Sequence, residues 1–350
     1  MTRPPALIFG VPIADVTMDE TLDLFAELID AGRGTGRSFQ VATANVDFLV
    51  NALGDPRLRD VLQAADLCLA DGTPVVWAAR LLGMPIRERV AGSDLFPRLV
   101  ERAAAAGWRV HVIGSFPDVA ERALAMMAER HPGAQLTIDA SPRVPDPTDV
   151  DPAILDSIRA MRPDVLCVAL GNPKQERFIA TYREQLGVPV LIGIGGTLEM
   201  LTGERRRAPR WMQRAGLEWV VRAVQEPTRL VPRYAHDIRV FAPRFVSEWR
   251  AARRRRDRPG LHASVAATAV TVTSDAADGT PLLHWMAAHA ALDAGAQLAL
   301  DTRAPVSDRV AAELVGLVQH ARLRGRPVEC ADDQALREFG IDVARVAGSA

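Results

Sequence analysis

A mostly parallel β-sheet covered by helices on both faces is the α/β architecture that three features of this sequence predict. From residue 1 to about 203, short apolar runs rich in β-formers alternate with amphipathic helical stretches. The runs are apolar at nearly every position, as strands buried on both faces must be. Capping residues, several followed by proline, stand directly after the runs, so the chain repeatedly turns from strand into helix.

The strands are expected at Ser38–Thr43, Asp66–Ala70, Trp108–Gly114, Leu136–Asp139, Asp164–Gly171 and Pro189–Gly195, with helices at Leu95–Ala106, Val119–Arg130, Ile154–Met161 and Glu176–Gln185. Thr17 and Glu20 form a capping box ahead of Leu22–Ile29. Thr73-Pro74, Asp151-Pro152 and Asn172-Pro173 each read as a capping side chain before a proline in the first helical turn. In a parallel sheet such loops gather at the carboxyl edge, where ligands bind, and helix N-termini there favour phosphate.

Composition narrows the class. The chain has 350 residues, 48% of them hydrophobic, which is enough to bury a sizeable core and excludes a disordered protein. Cys68, Cys167 and Cys330 form neither a disulfide framework nor a zinc spacing and read as small core residues. No charged start with an apolar stretch marks a signal peptide in residues 1–20, and no run is long enough to span a bilayer. The expected location is therefore cytoplasmic.

The net charge of −1 conceals an asymmetry. Residues 204–256 hold 15 Arg against 5 acidic residues, a local net of +10 that leaves −11 for the rest. Such a block seeks phosphates. Trp211, Met212, Leu217, Trp219, Val220, Val224 and Leu230 are interleaved with Arg205, Arg206, Arg207, Arg210, Arg214, Arg222, Arg229 and Arg233. That mixture reads as short amphipathic helices broken at Pro209, Pro227 and Pro232, suited to anionic lipid or to closing over a phosphate. The organisation expected is a core over 1–203, a basic helical appendage over 204–250, a linker over 251–262 and a small α/β unit over 263–350. That last unit shows strands at Val265–Thr273, Gln297–Asp301 and Val328–Cys330, and helices at Leu282–Ala294 and Asp308–Leu323.

Candidate chemistry sits at the strand ends. Asp71, in Ala70-Asp71-Gly72-Thr73-Pro74, follows a strand; a carboxylate there is either a turn residue before glycine or a base for a substrate hydroxyl. Thr43-Ala44-Asn45 ends the neighbouring strand. Three glycine-bearing loops, Gly114-Ser115, Gly171–Glu176 and Gly193–Thr197, could hold a nucleotide diphosphate, although none matches a P-loop or the full dinucleotide fingerprint. Asp149-Val150-Asp151 has the look of a metal-binding Asp-x-Asp, but Asp151 serves better as a helix cap, and no metal is expected.

Thr43-Ala44-Asn45, Leu69–Gly72, Arg89–Leu95, Gly171–Glu176, Gly193–Thr197, Arg207-Ala208-Pro209-x-Trp211-Met212, Gly216–Trp219 and Glu226-Pro227-x-Arg229 occur in order. The series, over about residues 8–245, resembles the WecG/TagA/CpsF family of bacterial glycosyltransferases. That resemblance implies a Rossmann-like sheet and inverting transfer of N-acetylmannosamine or its uronic acid from a UDP donor. The implied acceptor is polyprenyl-diphosphate-linked N-acetylglucosamine, at the inner membrane face, in cell-surface polysaccharide or teichoic-acid-type synthesis, without cofactor or essential metal. Carried over, Asp71 is the general base, and Thr43 and Asn45 line its pocket. Gly114, Ser115, Asn172, Lys174, Gln175, Gly193, Gly195 and Gly196 hold UDP, while Arg222, Arg229 or Arg233 neutralises the departing diphosphate.

The C-terminal unit, with Leu298–Asp301, Ser307-Asp308 and Val315–Val328, resembles a STAS domain. Such domains carry a serine after an aspartate; here the order is reversed, which leaves phosphorylation and partner binding both open. Three competing readings are a membrane-tethered regulator with a degenerate core, a nicotinamide-dependent oxidoreductase, and nucleic-acid binding by the basic block. The oxidoreductase lacks its fingerprint; nucleic acid is not the expected partner.

Overall fold

The computed structural model describes residues 3–139, 144–203, 208–209, 212, 217–256, 258, 262–266, 268–273 and 285–348. An antiparallel hairpin, β1 (Ala6–Ile8) and β2 (Val11–Ile13), precedes α1 (Met18–Thr35). The main sheet follows: β3 (Phe39–Ala44), α2 (Val46–Gly54), α3 (Pro56–Gln63), β4 (Leu67–Ala70), α4 (Thr73–Leu81), α5 (Gly92–Ala106) and β5 (Arg109–Gly114). Next come α6 (Pro117–Arg130), β6 (Gln135–Asp139), α7 (Pro152–Met161), β7 (Val165–Ala169), α8 (Lys174–Leu186), β8 (Val190–Gly193) and the short α9 (Thr197–Leu201). The six strands are all parallel, in the order β4-β3-β8-β7-β5-β6.

The strands β3, β4, β5, β7 and β8 are buried on both faces, as the continuous apolar runs predict, while the edge strand β6 is only partly covered. Phe39, Val41, Leu67, Leu69, Val110 and Val112 pack on one side with α1, α5 and α6. Ala42, Ala44, Cys68 and Ala70 face the other side, toward α2, α3, α4 and the hairpin, while Leu166, Val168 and Leu191 pack there with α7 and α8. The capping box at Thr17 and Glu20 is present, and Asp151 caps α7 through the Ala153 N–H. Two expected caps differ. Thr73 is already helical, with Gly72 at φ +135° before it, a conformation that only glycine adopts readily. Asn172 spends its side chain elsewhere, and α8 starts at Lys174.

The basic segment also departs from expectation. After α10 (Glu218–Gln225), the chain forms one 29-residue helix, α11 (Pro227–Arg255). Pro227 occupies the first turn, where its missing N–H has no partner to lose. Pro232 and Pro243 lie inside, each at the cost of one backbone bond, in a helix held by packing of Phe241, Phe245 and Trp249 on the hairpin side of the core. Arg253–Arg255 continue this helix rather than forming a linker. Arg205, Arg206, Arg207, Arg210, Trp211 and Arg214 lie outside the described residues.

The C-terminal unit has β9 (His262–Val265), β10 (Ala269–Thr273), α12 (Trp285–Ala294), β11 (Gln297–Asp301), α13 (Asp308–Leu323), β12 (Val328–Asp332), α14 (Gln334–Arg337) and α15 (Val343–Ala347). The single strand expected over 265–273 is two antiparallel strands, and the sheet order is β12-β11-β10-β9. Its core is continuous with that of the hairpin and α3. Cys68 and Cys167 are core residues as expected, but Cys330 is exposed, because its side of β12 is uncovered.

Candidate active site

The carboxyl ends of β4, β3, β8, β7 and β5 lie side by side, so Asp71, Asn45, Gly193, Gly171 and Gly114 follow one another along one sheet edge. Asp71 leaves β4 with its N–H on the Ala44 carbonyl at 2.9 Å, and Val90 returns to the same strand end through the Ala70 carbonyl. This return brings Arg89 and the N-terminus of α5 to the carboxylate. The Gly92 N–H donates to Asp71, and α10 lays Arg222 and Glu218 opposite.

These groups enclose a cavity of about 320 Å³ whose roof is α10 and α11. Asn45, Asp47, Gly72 and Arg89 contribute from the core; Trp219, Arg222, Arg233, Tyr234 and Asp237 contribute from above. Asp71 lines this space, and burial of its carboxyl pushes the pKa up to about 6, because burial penalises the charged form and Glu218 adds repulsion. Arg89, Arg222 and the Gly92 N–H act the other way. A carboxylate poised this near neutrality can take a proton from a hydroxyl while still ionised at pH 7.

Two of the arginines of the site, Arg89 and Arg233, are held by pairing. Arg89 reaches Asp94 at 2.7 Å and Glu218 at 3.5 Å, so it ties the core to α10. Arg233 lies 3.7 Å from Asp47. Asp237 is buried beside them, and burial with the nearby Asp47 raises its pKa to about 6. The cavity therefore mixes anionic and cationic groups, with the aromatic walls of Trp219 and Tyr234 in edge contact at 6.0 Å.

Of the residues singled out from sequence, Asp71, Asn45, Arg222 and Arg233 line this cavity. Asn45 also caps α2, its Oδ1 accepting from the Phe48 N–H at 3.2 Å. Thr43 is not in the wall: its hydroxyl donates to the Gly193 carbonyl at 3.1 Å and fastens β3 to β8. Arg229 pairs with Glu226 outside the cavity.

The glycine loops lie farther along the edge, and much of their polar chemistry is turned inward. Gln175 Oε1 accepts from the Gly171 and Gly195 N–H groups at 3.2 Å and 3.0 Å, and its Nε2 donates to Glu176. Asn172 Nδ2 donates to the other Glu176 oxygen at 3.0 Å, while its Oδ1 accepts from Asn51. Burial drives Glu176 up to about 7. Gly193 is required by this network, since a Cβ there would stand 2.3 Å from Gln175 Nε2. Gly196 precedes α9, and Lys174 donates to the Val144 carbonyl at 3.5 Å. Ser115, at φ +66°, follows Gly114 where β5 meets β7, and its buried hydroxyl has no hydrogen-bond partner among the described residues. No group of three His, Cys, Asp or Glu side chains suited to a metal ion occurs among the described residues; Asp151 is engaged as a cap.

Sequence reasoning missed Arg89, Glu218, Asp237 and Tyr234 as site residues. Arg89 was visible in the ordered motif Arg89–Leu95 but carried no spacing signal of its own. Asp237 was hidden in a helix face that shows its pattern only once Pro232 is known to lie inside the helix.

A parallel α/β sheet with a carboxylate and guanidinium groups across a carboxyl-edge cavity suits an enzyme that activates a hydroxyl beside an anionic group. The family model described as "Glycosyl transferase WecG/TagA/CpsF family" matches residues 6–256, and the chain belongs to that family. The match takes in all of α11 and leaves the C-terminal unit outside. Similar proteins include an N-acetylglucosaminyldiphosphoundecaprenol N-acetyl-beta-D-mannosaminyltransferase of Bacillus spizizenii, 35% identical over 189 residues, which are 54% of this chain and 72% of that protein. Enzymes of the same name from Bacillus subtilis and Staphylococcus aureus are 32% identical over 200 residues (56% and 77% of the two chains) and 28% over 228 (64% and 85%).

Proposed function

We propose that this glycosyltransferase moves an N-acetylmannosamine-type sugar from a UDP donor to a polyprenyl-diphosphate-linked N-acetylglucosamine, with inversion, in cell-surface polymer synthesis. The observation that carries the reading is the Asp71 carboxyl, raised toward neutrality in a cavity shared with Arg89 and Arg222. Asp71 takes the proton of the acceptor hydroxyl as the oxygen attacks the anomeric carbon, and UDP departs. Arg222, on the roof, offers charge to the leaving diphosphate in a site sheltered from water. Asn45 orients the sugars, and Arg233 is a second candidate for the diphosphate. The nucleotide lies along the sheet edge beside the Gly114-Ser115, Gly171–Gln175 and Gly193–Gly196 turns. Gln175, Asn172 and the Gly171, Gly195 and Ser115 N–H groups are already engaged, so the Ser115 hydroxyl, without a partner among the described residues, is the polar group left to meet it there.

No described helix is long and apolar enough to cross a membrane. The lipid acceptor is met at the surface of the anionic inner leaflet, where the basic appendage docks. The C-terminal unit is read as a STAS-like module for a protein partner. Screening UDP-sugars for transfer to a short-chain lipid-diphosphate N-acetylglucosamine, with and without chelator, tests the reading. Transfer that Asp71→Asn abolishes supports it; wild-type protein that transfers no sugar would favour the membrane-tethered regulator.

A further inference from the structure

A second cavity, of about 580 Å³, lies where α4, α11 and α13 meet. Arg80, Arg253, Arg256 and Arg309 line it, with Leu81 and Trp249 as apolar wall. Its only lining carboxylate, Asp308, is already gripped by Arg255 at 2.7 Å and 3.0 Å. Arg253 lies over the Trp249 ring at 4.0 Å, Arg309 pairs with Glu313 along its own helix, and Arg80 and Arg256 have no ion pair among the described residues. The 16-residue α13 also begins at this wall, with Ser307 as its cap. The excess of guanidinium groups suits an anion with several phosphate oxygens, which arginine binds in bidentate fashion.

Two helices join this cavity to the one at Asp71. On α4, Thr73 and Pro74 line the first and Arg80 and Leu81 the second, a separation of about 10 Å at the helical rise. Trp77 and Leu81, 46% and 60% exposed, share a stripe with Pro74 at spacings of three and four. On α11, Ile238 and Phe241 of the first cavity lead through Phe245, stacked on Phe241 at 5.6 Å, to Trp249 of the second. Apolar side chains thus run between the cavity that holds Asp71 and an arginine cluster about 10 Å farther along α4, a separation on the scale of one sugar and a diphosphate.

We propose that the arginine cavity is the subsite for the diphosphate of the lipid-linked acceptor, with its polyprenyl chain leaving over Leu81 and Trp249. The C-terminal unit completes this subsite through Arg309. The inference rests on the proposed transfer to a lipid-linked acceptor and assigns its anionic half a place. Charge complementarity and continuity with the Asp71 cavity favour this occupant over a bilayer lipid, which would need no fixed distance to the carboxylate.

The test uses full-length protein, wild type, Arg309→Gln and Arg253→Gln/Arg309→Gln, with two acceptors: a short-chain prenyl-diphosphate N-acetylglucosamine and an alkyl N-acetylglucosaminide lacking phosphate. The double variant should raise KM for the diphosphate acceptor about tenfold or more, the scale of one or two lost charge-assisted contacts. KM for UDP-sugar and for the phosphate-free acceptor should stay unchanged. Calorimetric binding of the diphosphate acceptor, which needs no turnover, should weaken in parallel. If wild type shows no transfer yet binds this probe and the variants lose it, the subsite stands and the transfer reading falls. An unchanged affinity and KM, an equal change with both acceptors, or a defect confined to binding anionic vesicles would each overturn the subsite.

Discussion

Replacing Asp71 by asparagine separates what the carboxylate contributes to chemistry from what it costs the fold. Its carboxyl titrates near 6 in the folded chain against an ordinary 3.8, so the native state holds a proton more tightly than the unfolded chain. Stability is therefore undiminished below about pH 4, falls as pH rises between the two values, and stays lower above pH 6. A shift of about two units corresponds to a penalty on the order of 3 kcal/mol at pH 7–8. Asparagine keeps an oxygen for the Gly92 N–H and carries no charge, so Asp71→Asn should be the more stable protein at pH 8, by up to that amount. The gap should close by pH 4. Urea denaturation of both proteins at pH 4, 6 and 8 reads this directly. Loss of a general base should meanwhile lower kcat by about 10²–10⁴-fold. A variant with the same pH dependence of stability as wild type would refute the enclosed carboxylate, and near-normal turnover would remove Asp71 from the base role.

Other substitutions probe the surroundings. In wild type the acidic limb of kcat/KM should fall near pH 6; Arg89→Gln or Arg222→Gln removes a cation that favours the charged form, and should move that limb upward by up to about one unit. An unmoved limb would dissociate the arginine from Asp71. Glu176→Gln sets an amide donor against Gln175 or Asn172, which both donate to the carboxylate, and should cost about 1–3 kcal/mol in denaturation experiments. Gly193→Ala drives a methyl into Gln175 Nε2 and should destabilise the β8 end, with a lowered melting temperature as the readout. Arg322→Met leaves Asp66 short of one of its cations at the join between the units, and should cost about 3–5 kcal/mol, visible as a lower denaturation midpoint and faster proteolysis of the C-terminal unit.

What could be read from the sequence follows where one signal has one structural meaning. Apolar runs such as Val165–Ala169, short and bounded by turn residues, read as strands buried twice, and Thr17 with Glu20 and Asp151 with Pro152 do start helices, so the sheet and its edge were legible. Asp71 was legible as a candidate because chain direction puts a residue after β4 at that edge. Asn172 and Gln175 were not, since an amide beside a glycine turn looks the same whether it holds a ligand or, as here, a buried glutamate. Proline in the basic segment misled for a related reason: propensity subtracts one bond, whereas Phe241, Phe245 and Trp249 packing on the hairpin decides the length of α11.

The same long helix explains why the candidate site needs every part of the chain to be in place. Asp71 stands at one end of β4, and at the other end Asp66 accepts from the Gln40 N–H and faces Arg183 and Arg322, the last supplied by α13. Arg322 also donates to the Ala64 and Val346 carbonyls, and Gln63 bridges Gly10 to Gly340. The strand that presents the carboxylate is thus anchored through the C-terminal unit, while α11, whose Arg233 and Asp237 roof the cavity, is anchored to that unit by Arg255 on Asp308. Floor and roof share one brace. Replacing the Asp308 carboxylate by an uncharged amide, Asp308→Asn, should therefore weaken the Arg255 pair and loosen the roof without touching Asp71. We expect a higher donor KM, with the acidic limb of kcat/KM unmoved; a shift of that limb instead would show that the brace acts on the carboxylate.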